Sequence, residues 1–475
     1  RLPGVRRVEY LRPLKPHLDR ALDLSNARAA WNRVGGFANA GAGVKIGILD
    51  TGIDQQHPAL QDDSLTPPPG FPKCAPRDCP YTSNKVIVAR SYVEMLAAGT
   101  PPNPAEDSRP DDPTPRDRVG HGTAVAVIAA GRQVAAPSTT ISGVAPKAFL
   151  GNYKIFGSPG VNDSTYGDVV VTALEDAFRD GMDIVTLSLG SAALYGPLDT
   201  GKACGEDDPS QPCDPEAMAV ENAIKAGMLV VVSAGNDGDM GLKYPALATV
   251  NSPGTAPSAL TVGATTNAHV WLSRVSLEAD DAPAELRKIP ARFGDGPRPP
   301  EPLTAPIKDV QSLGDDGLAC RALPSGSLAG AVALVQRGGC SFALKVYNAE
   351  NAGAVGVVIY QLEGTESIFS PAGLAGTGIP AAMIPNSYGK QLKALVASKP
   401  GARVTLDATL AAWDAPANEL AVFSSRGPSL GENGIKPEVA AVGTDLYTAT
   451  QSYDPNSELW DPTGYTAVDG TSFAV

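Results

Sequence analysis

The chain has 475 residues, 43% of them apolar, which is enough to build a sizeable core in two or three domains. Its formal net charge of −13 argues against binding to nucleic acid or to anionic membrane surfaces. No apolar run approaches the roughly 20 residues that a membrane-spanning helix needs.

The first informative pattern is the apolar stretch from Val44 to Asp50, interrupted only by Lys45. Such a stretch predicts a strand that is buried on both faces of a parallel sheet. Asp50 ends this strand, and Thr51-Gly52 then turns the chain. Because open α/β sheets place their sites at the carboxyl ends of strands, Asp50 is a candidate functional residue. The alternative interpretation is that Asp50 only caps a turn.

The cysteines come as local pairs, and each pair falls within one predicted loop or domain. The pairs are Cys74 with Cys79, Cys204 with Cys213, and Cys320 with Cys340. This spacing predicts three disulfide bonds and an oxidising compartment. Metal ligation is the alternative, but the clustered histidines that would support it are missing from the sequence.

The chain has four histidines, at positions 17, 57, 121 and 269. His121 stands out because it lies in a Gly-His-Gly-Thr motif and is followed by small residues as far as Gly131. This pattern predicts a short, tightly packed helix that ends at Gly131. Since a helix N-terminus disfavours the imidazolium form, we expect a lowered pKa and a general base. A histidine that merely caps a buried helix is the alternative.

Two further apolar stretches predict buried strands, and the second of them runs into a glycine turn. Residues 183–187 lead into Ser188-Leu189-Gly190, and residues 229–233 lead into Ala234-Gly235-Asn236. An amide side chain at such a turn can donate an N–H to an oxyanion at low reorganisation cost. Asn-Asp-Gly is also an ordinary turn signal, which leaves a purely structural role open.

Residues 331–385 have a pattern of their own. They predict a strand, a glycine turn, an amphipathic helix that stops at Gly353, a strand ending at Tyr360, and a strand bounded by prolines. This order indicates a second α/β domain inserted in the first.

At the end of the sequence, Gly470-Thr471-Ser472 precedes small apolar residues. This pattern predicts a serine at a helix N-terminus, where unpaired N–H groups and the helix dipole stabilise developing negative charge. The alternative interpretation is that Gly470-Thr471-Ser472 forms only a turn and a helix cap and supplies no nucleophile.

Taken together, these motifs resemble those of the subtilisin-like serine proteases, the subtilases. The resemblance rests on DTGID at 50–54 with HP at 57–58, GHGT at 120–123, SLG at 188–190, SAGN at 233–236 and DGTSFA at 469–474. The chain order Asp, His, Ser is also that of the family. Two positions depart from its pattern: Val442 replaces a usual proline, and Phe473 replaces the commonest methionine. The stretch RGGCSF at 337–342 resembles a protease-associated domain.

The resemblance implies a secreted serine endopeptidase. Asp50 would orient His121, and His121 would take the proton of Ser472. Asn236 would hold the oxyanion together with the backbone N–H of Ser472. Substrate binding is assigned to an edge strand of Ser188, Leu189 and Gly190, and to Ser233, Ala234 and Gly235.

The implied fold is α/β, with a subtilisin-like three-layer arrangement around a parallel central sheet and an inserted protease-associated α/β domain. Four segments are expected: the tail of an inhibitory prosegment with its connector (1–30), two parts of the catalytic domain (31–265 and 412–475), and the insertion (266–411, core about 300–410). We therefore expect a segment of a longer precursor. The expected partners are polypeptide substrates and the chain's own prosegment, as inhibitor and folding aid.

The chemistry is expected to need no cofactor, and a structural calcium ion is left open. The alternative function is that of a non-catalytic binding or adhesion protein on the same scaffold. The complete set of Asp50, His121, Asn236 and Ser472 favours the enzyme over this alternative.

Overall fold

The computed structural model describes residues 20–99, 108–239, 246–278, 283–431, 434–457 and 459–475. The chain divides into two compact units. Unit 1 comprises Arg1–Val270 and Asp414–Val475, and unit 2 is Trp271–Trp413. The first 19 residues, which contain His17 and most of the expected prosegment tail, lie outside the described residues.

The strands are numbered here in chain order. Those before unit 2 are β1 (Lys45–Asp50), β2 (Lys73–Cys74), β3 (Val86–Ser91), β4 (Val134–Ala135), β5 (Thr140–Ile141), β6 (Phe149–Lys154), β7 (Ile184–Leu187), β8 (Ser191–Ala192), β9 (Leu229–Ser233), β10 (Asn251–Ser252) and β11 (Leu260–Thr265). The strands of unit 2 are β12 (His269–Glu278), β13 (Ile289–Phe293), β14 (Leu303–Asp309), β15 (Val332–Gln336), β16 (Gly356–Tyr360), β17 (Ala381–Ile384) and β18 (Arg403–Asp414). After it come β19 (Val439–Val442), β20 (Leu446–Ala449) and β21 (Tyr465–Val468).

The helices are α1 (Ala21–Leu24), α2 (Ala27–Arg33), α3 (Val93–Ala97), α4 (His121–Ala130), α5 (Gly167–Asp180), α6 (Pro215–Lys225), α7 (Phe342–Asn351) and α8 (Asn386–Ser398). Helix α4 begins and ends where the sequence predicts. Gly131 stands at its C-terminal cap. No helix in the described part of the chain is long and apolar enough to cross a membrane.

Unit 1 is built around a parallel sheet. Its strand order among the described residues is β19-β11-β9-β7-β1-β6-β3-β2. The predicted strand at 44–50 is therefore confirmed, and β1 lies in the interior of the sheet between β6 and β7. Asp50 is in register with Lys154 of β6, and Leu49 is in register with Leu187 of β7. Since all these strands run parallel, their carboxyl ends share one edge of the sheet.

The two faces of this sheet are covered by different helices. Leu49 packs in one core with the apolar side chains of α5 and α6. Ile46 points to the opposite face, because side chains alternate along a strand, and there it lines a cavity together with Val127 of α4. The unit therefore has three layers, and the predicted α/β fold with a parallel central sheet is confirmed.

Unit 2 is a closed barrel of β12-β13-β17-β16-β15-β14-β18, with α7 and α8 beside its strands. The strand, helix and two strands predicted within 331–385 are β15, α7, β16 and β17. The observed unit begins five residues later and ends two residues later than the expected insertion at 266–411.

All six cysteines form disulfide bonds, in the three local pairs that the sequence predicts. They are Cys74–Cys79 and Cys204–Cys213 in unit 1, and Cys320–Cys340 in unit 2.

Candidate active site

The site begins with a carboxylate and an imidazole that are brought together by β1 and α4. Asp50 is the last residue of β1 and is 2% exposed. Its Oδ1 accepts a hydrogen bond from the backbone N–H of Thr51 and lies 2.7 Å from Nδ1 of His121, the first residue of α4. Because a carboxylate can only accept, Nδ1 carries the proton. The other ring nitrogen, Nε2, is then left as a proton acceptor.

The pKa of His121 is raised from its ordinary value, which makes the expectation of a lowered pKa wrong. Burial of the ring lowers the pKa, but the charge of Asp50, its hydrogen bond and the charge of Asp117 together outweigh burial. The helix N-terminus by itself would lower the pKa, but the fold also places the carboxylates of Asp50 and Asp117 near the ring. The result is an imidazole that holds a proton more strongly than a free histidine.

Asn236 lies in the turn after β9 and is exposed. Its Oδ1 accepts hydrogen bonds from the backbone N–H of Thr471 at 3.0 Å and from Oγ1 of Thr471 at 2.9 Å. The threonine hydroxyl in turn accepts the backbone N–H of Gly235 at 3.2 Å. These bonds fix which way the amide points, so that Nδ2 is left to donate.

Ser472 lies in the 3-10 turn Thr471–Phe473, and the α-helix expected to begin at this serine stays a prediction. Its Oγ donates to the backbone carbonyl of Ser188 at 3.2 Å, and Oγ of Ser188 donates to the carbonyl of Ser472 at 2.8 Å. Among the described residues, neither Oγ of Ser472 nor Nε2 of His121 has any further hydrogen-bond partner. The ring of Phe473 lies 5.1 Å from that of His121. The nucleophile candidate is thus beside the histidine but turned towards Ser188.

Residues 188–190 follow the interior strand β7 and lie outside the strands of the sheet, and their expected role as a substrate-binding edge strand stays a prediction. Their backbone N–H groups are not hydrogen-bonded to any part of the chain that the structure describes. They line a groove of about 520 Å³ together with His121 and Thr51. Unpaired N–H groups along a groove are what an extended peptide needs for strand addition.

Residues 233–235 do not offer such groups. The N–H of Ala234 donates to Val262 and its carbonyl accepts from Asn251, while the carbonyl of Gly235 accepts from Ser425. Gly235 has φ of 101°, and a Cβ there would lie 1.4 Å from Oδ1 of Asn251. These bonds give Ser233, Ala234 and Gly235 a role in holding the Asn236 turn, and the substrate-binding role expected from the sequence stays a prediction.

The comparison with known families supplies the decisive observation, because residues 41–475 match the Subtilase family, Peptidase_S8. The chain belongs to the subtilase family of peptidases. This subtilase is 28% identical over 464 residues to the minor extracellular protease Vpr of Bacillus subtilis (strain 168), a match that covers 97% of the chain and 47% of Vpr. It is 30% identical over 492 residues to the subtilisin-like protease SBT1.4 of Arabidopsis thaliana, a match that covers 96% of the chain and 56% of SBT1.4.

A third relative is the PIII-type proteinase of Lactococcus lactis subsp. cremoris (strain SK11). It is 27% identical over 503 residues, which cover 100% of this chain and 23% of that protein. The subtilase chain thus spans about half, or less, of the length of these relatives.

Sequence reasoning missed one residue of the site, Asp117. This aspartate is fully buried in the loop that leads into α4, and it accepts hydrogen bonds from the backbone and side chains around the Asp50–His121 pair. A signal was present, because an acidic residue just before a helix start is a common partner of the unpaired N–H groups there.

Two of the other histidines are buried, and the pKa of each is lowered to about 4. For His57 and for His269, burial is the largest cause. His57 accepts the N–H of Ala59 at Nδ1 and contacts the carbonyl of Gly464 through Nε2 at 3.0 Å, so its ring is neutral. Within the described ranges, no three side chains of His, Cys, Asp or Glu converge as a metal site would require.

Proposed function

We propose that this subtilase is a serine endopeptidase that hydrolyses polypeptides through an acyl-enzyme. The observation that carries the proposal is the 2.7 Å contact between Asp50 and Nδ1 of His121, which leaves Nε2 free as a proton acceptor. The ring of Phe473, the residue after Ser472, lies 5.1 Å from the ring of His121 and brings the serine's turn to the imidazole. A carboxylate that fixes the imidazole tautomer beside a serine is the arrangement that general-base activation requires.

In the first step, Oγ of Ser472 attacks the scissile carbonyl carbon while its proton passes to Nε2 of His121. Asp50 stabilises the imidazolium that forms, and the proton then passes to the leaving amine. Water hydrolyses the resulting ester by the same route. Before the attack, Ser472 must exchange its 3.2 Å hydrogen bond to Ser188 for one to His121. Catalytic hydrogen bonds are often loose in the absence of substrate.

The tetrahedral intermediate needs donors for its oxyanion. Nδ2 of Asn236 is one donor, because Thr471 holds the other end of the amide. The backbone N–H of Ser472 is the second, and it has no hydrogen-bond partner among the described residues. Two donors that are oriented before the reaction stabilise the developing charge at little reorganisation cost.

Substrate binding is proposed for residues 188–190, whose unpaired N–H groups would bond to an extended peptide backbone. Main-chain bonds of this kind tolerate many side chains, so we expect broad sequence tolerance. The chemistry uses only protein groups and no cofactor, and a structural calcium ion stays open.

We further propose that unit 2 is a protease-associated domain that limits access of large substrates, and that residues 1–30 include the tail of an inhibitory prosegment. Secretion is proposed because three disulfide bonds suit an oxidising compartment and the relative Vpr is described as extracellular.

The test is Ser472→Ala, assayed by peptide hydrolysis and by labelling with a fluorophosphonate. We expect no labelling and a loss of kcat of roughly 10⁶-fold, the magnitude measured for the serine of subtilisin, a member of the same family. Ser210→Ala, an exposed serine in the loop closed by Cys204–Cys213, is the matched control and should label normally. Normal labelling of Ser472→Ala would show that the nucleophile lies elsewhere.

A further inference from the structure

Asp117 is fully buried and accepts five hydrogen bonds. Its Oδ1 accepts from Oγ1 of Thr51 at 2.9 Å and from the backbone N–H groups of Val119 at 2.9 Å and Gly120 at 2.8 Å. Its Oδ2 accepts from the N–H of Thr123 at 2.9 Å and from Oγ1 of Thr123 at 2.6 Å. A carboxylate has about four lone-pair directions, so these bonds use essentially all of its capacity.

These bonds join the two segments that carry the catalytic pair. Thr51 directly follows Asp50, and its hydroxyl also accepts the backbone N–H of Gly122, next to His121, at 2.9 Å. On the other side, Oγ1 of Thr123 accepts the N–H of Asp54 at 2.9 Å. The loop after β1 and the first turn of α4 are thus tied together through one side chain.

The charge of Asp117 is not neutralised by an ion pair with any residue that the structure describes. The charged groups nearest the catalytic histidine on the surrounding elements are few. They are Asp50 at the end of β1, Asp54 after it, Lys154 at the end of β6, Arg116 and Asp117 in the loop before α4, and Asp163, which lines the same groove as His121. Nζ of Lys154 donates to the carbonyl of Arg116, and the Arg116 guanidinium lies over the rings of Tyr81 and Tyr453.

We propose that Asp117 is a positioning residue for catalysis: through Thr51 and Thr123 it holds Asp50 and His121 in contact, and it places a second negative charge near the imidazole. The proposal rests on the proposed function. It differs from a simple helix cap because the hydrogen bonds of Asp117 reach both partners' segments. The negative charge of Asp117 is also one of the causes that raise the pKa of His121. Both effects act on the reaction through His121, and Asp117 itself does not touch the substrate.

Three variants separate position from charge. Thr51→Val removes the hydroxyl link but keeps the Asp117 charge, whereas Thr51→Ser keeps the link. Asp117→Asn removes the charge and sets an NH₂ group against the N–H donors. Asp112→Asn is the matched control, because Asp112 lies in the same loop but bonds to Arg118 and Thr114.

For Thr51→Val and Asp117→Asn we expect kcat to fall roughly 10²-fold with little change in KM, since small misplacements of a catalytic group have effects of this size. Thr51→Ser should recover most of the activity lost in Thr51→Val. The acid limb of the pH profile of kcat/KM should move to lower pH in Asp117→Asn and stay in place in Thr51→Val. Asp112→Asn should leave both measurements unchanged.

The pKa of His121 can also be read by NMR in the catalytically inert Ser472→Ala background, where only four histidines need assignment. A lower pKa in Asp117→Asn supports the proposal even when that variant is destabilised. If the wild-type protein neither hydrolyses peptides nor labels, the proposed function fails, but this NMR comparison still tests the effect of Asp117. Equal kcat in Thr51→Val and Thr51→Ser, together with an unchanged His121 pKa in Asp117→Asn, would overturn the proposal and leave Asp117 a helix cap.

Discussion

The two halves of the candidate site differ in how completely the structure arranges them. In the base half, Asp50 and His121 are in direct contact at 2.7 Å, and buried hydrogen bonds connect their segments. In the nucleophile half, Asn236 is oriented by Thr471, but the hydroxyl of Ser472 bonds to the carbonyl of Ser188.

The physical reason for this difference lies in what fixes each group. Asp50 ends an interior strand and His121 begins a ten-residue helix that packs against it, so the sheet and the helix fix both backbones. The hydroxyl of Ser472 turns on one side-chain torsion, and that torsion decides its hydrogen-bond partner. The fold thus prepares the base, whereas Ser472 must still change its hydrogen-bond partner before it can react.

The largest effect in the base half is expected from Asp50→Asn. The amide would favour the wrong tautomer of His121, and we expect kcat to fall roughly 10⁴-fold. Steady-state kinetics on a small chromogenic peptide would measure the loss. Asp183→Asn is a matched control, because Asp183 lies before β7 at the opposite edge of the sheet and pairs with Lys45. A loss below tenfold for Asp50→Asn would mean that the base half does not depend on this contact.

In the nucleophile half, Asn236→Ala should lower kcat by roughly 10²–10³-fold with little change in KM, because the amide acts on the oxyanion. Asn236→Asp sharpens the test, since it keeps an acceptor for Thr471 but removes the N–H donor. We expect it to lose at least as much activity as Asn236→Ala. If Asn236→Asp were active, the role of this side chain would be to hold Thr471.

Neither half should depend on unit 2. The N–H of Ala415 donates to the carbonyl of Ala268 at 3.1 Å, so the chain ends that flank this unit already lie side by side in unit 1. Replacing residues 271–413 by a short glycine linker should largely preserve hydrolysis of small peptides and alter the cleavage of folded proteins. Removing only about 300–410 would cut the barrel and leave β12 and β13 behind. Parallel losses on small and large substrates would instead make unit 2 a structural support.

The smallest effect on activity is expected at His57, which contrasts with His121. Its folded pKa is lowered to about 4, so protonation penalises the folded state as pH falls from about 6.5 towards 4. The stability present above pH 6.5 should decrease across this window by about 3 kcal/mol and then level off. His57→Gln should flatten this part of the curve of unfolding free energy against pH without changing kcat at neutral pH. Urea unfolding at a series of pH values measures the unfolding free energy of the wild-type protein and of His57→Gln. Parallel curves for these two proteins would contradict the lowered pKa of His57.

Local patterns in the sequence were sufficient to predict β1, α4, β9 and the helix and strands of 331–385. Burial on both faces, small-residue helices and glycine stops act over a few residues, so the sequence carries them directly. Asp50, His121 and Asn236 were found in the same way, because each lies at or just past the end of such an element, whereas Ser472 was found from its Gly-Thr-Ser motif. The cysteine pairs could also be predicted, since each closes a short stretch of chain.

Only the tertiary structure decided how these side chains meet. Asp50 and His121 are 71 residues apart in sequence, Thr51 and Asp117 are 66 apart, and Ser188 and Ser472 are 284 apart. The raised pKa of His121 and the orientation of Ser472 depend on these distant partners. The position of residues 188–190, just after an interior strand, also depends on the tertiary structure. Hydrogen bonds and charges act through space over a few ångströms, so their strength follows from the packed fold and not from the order of residues along the chain.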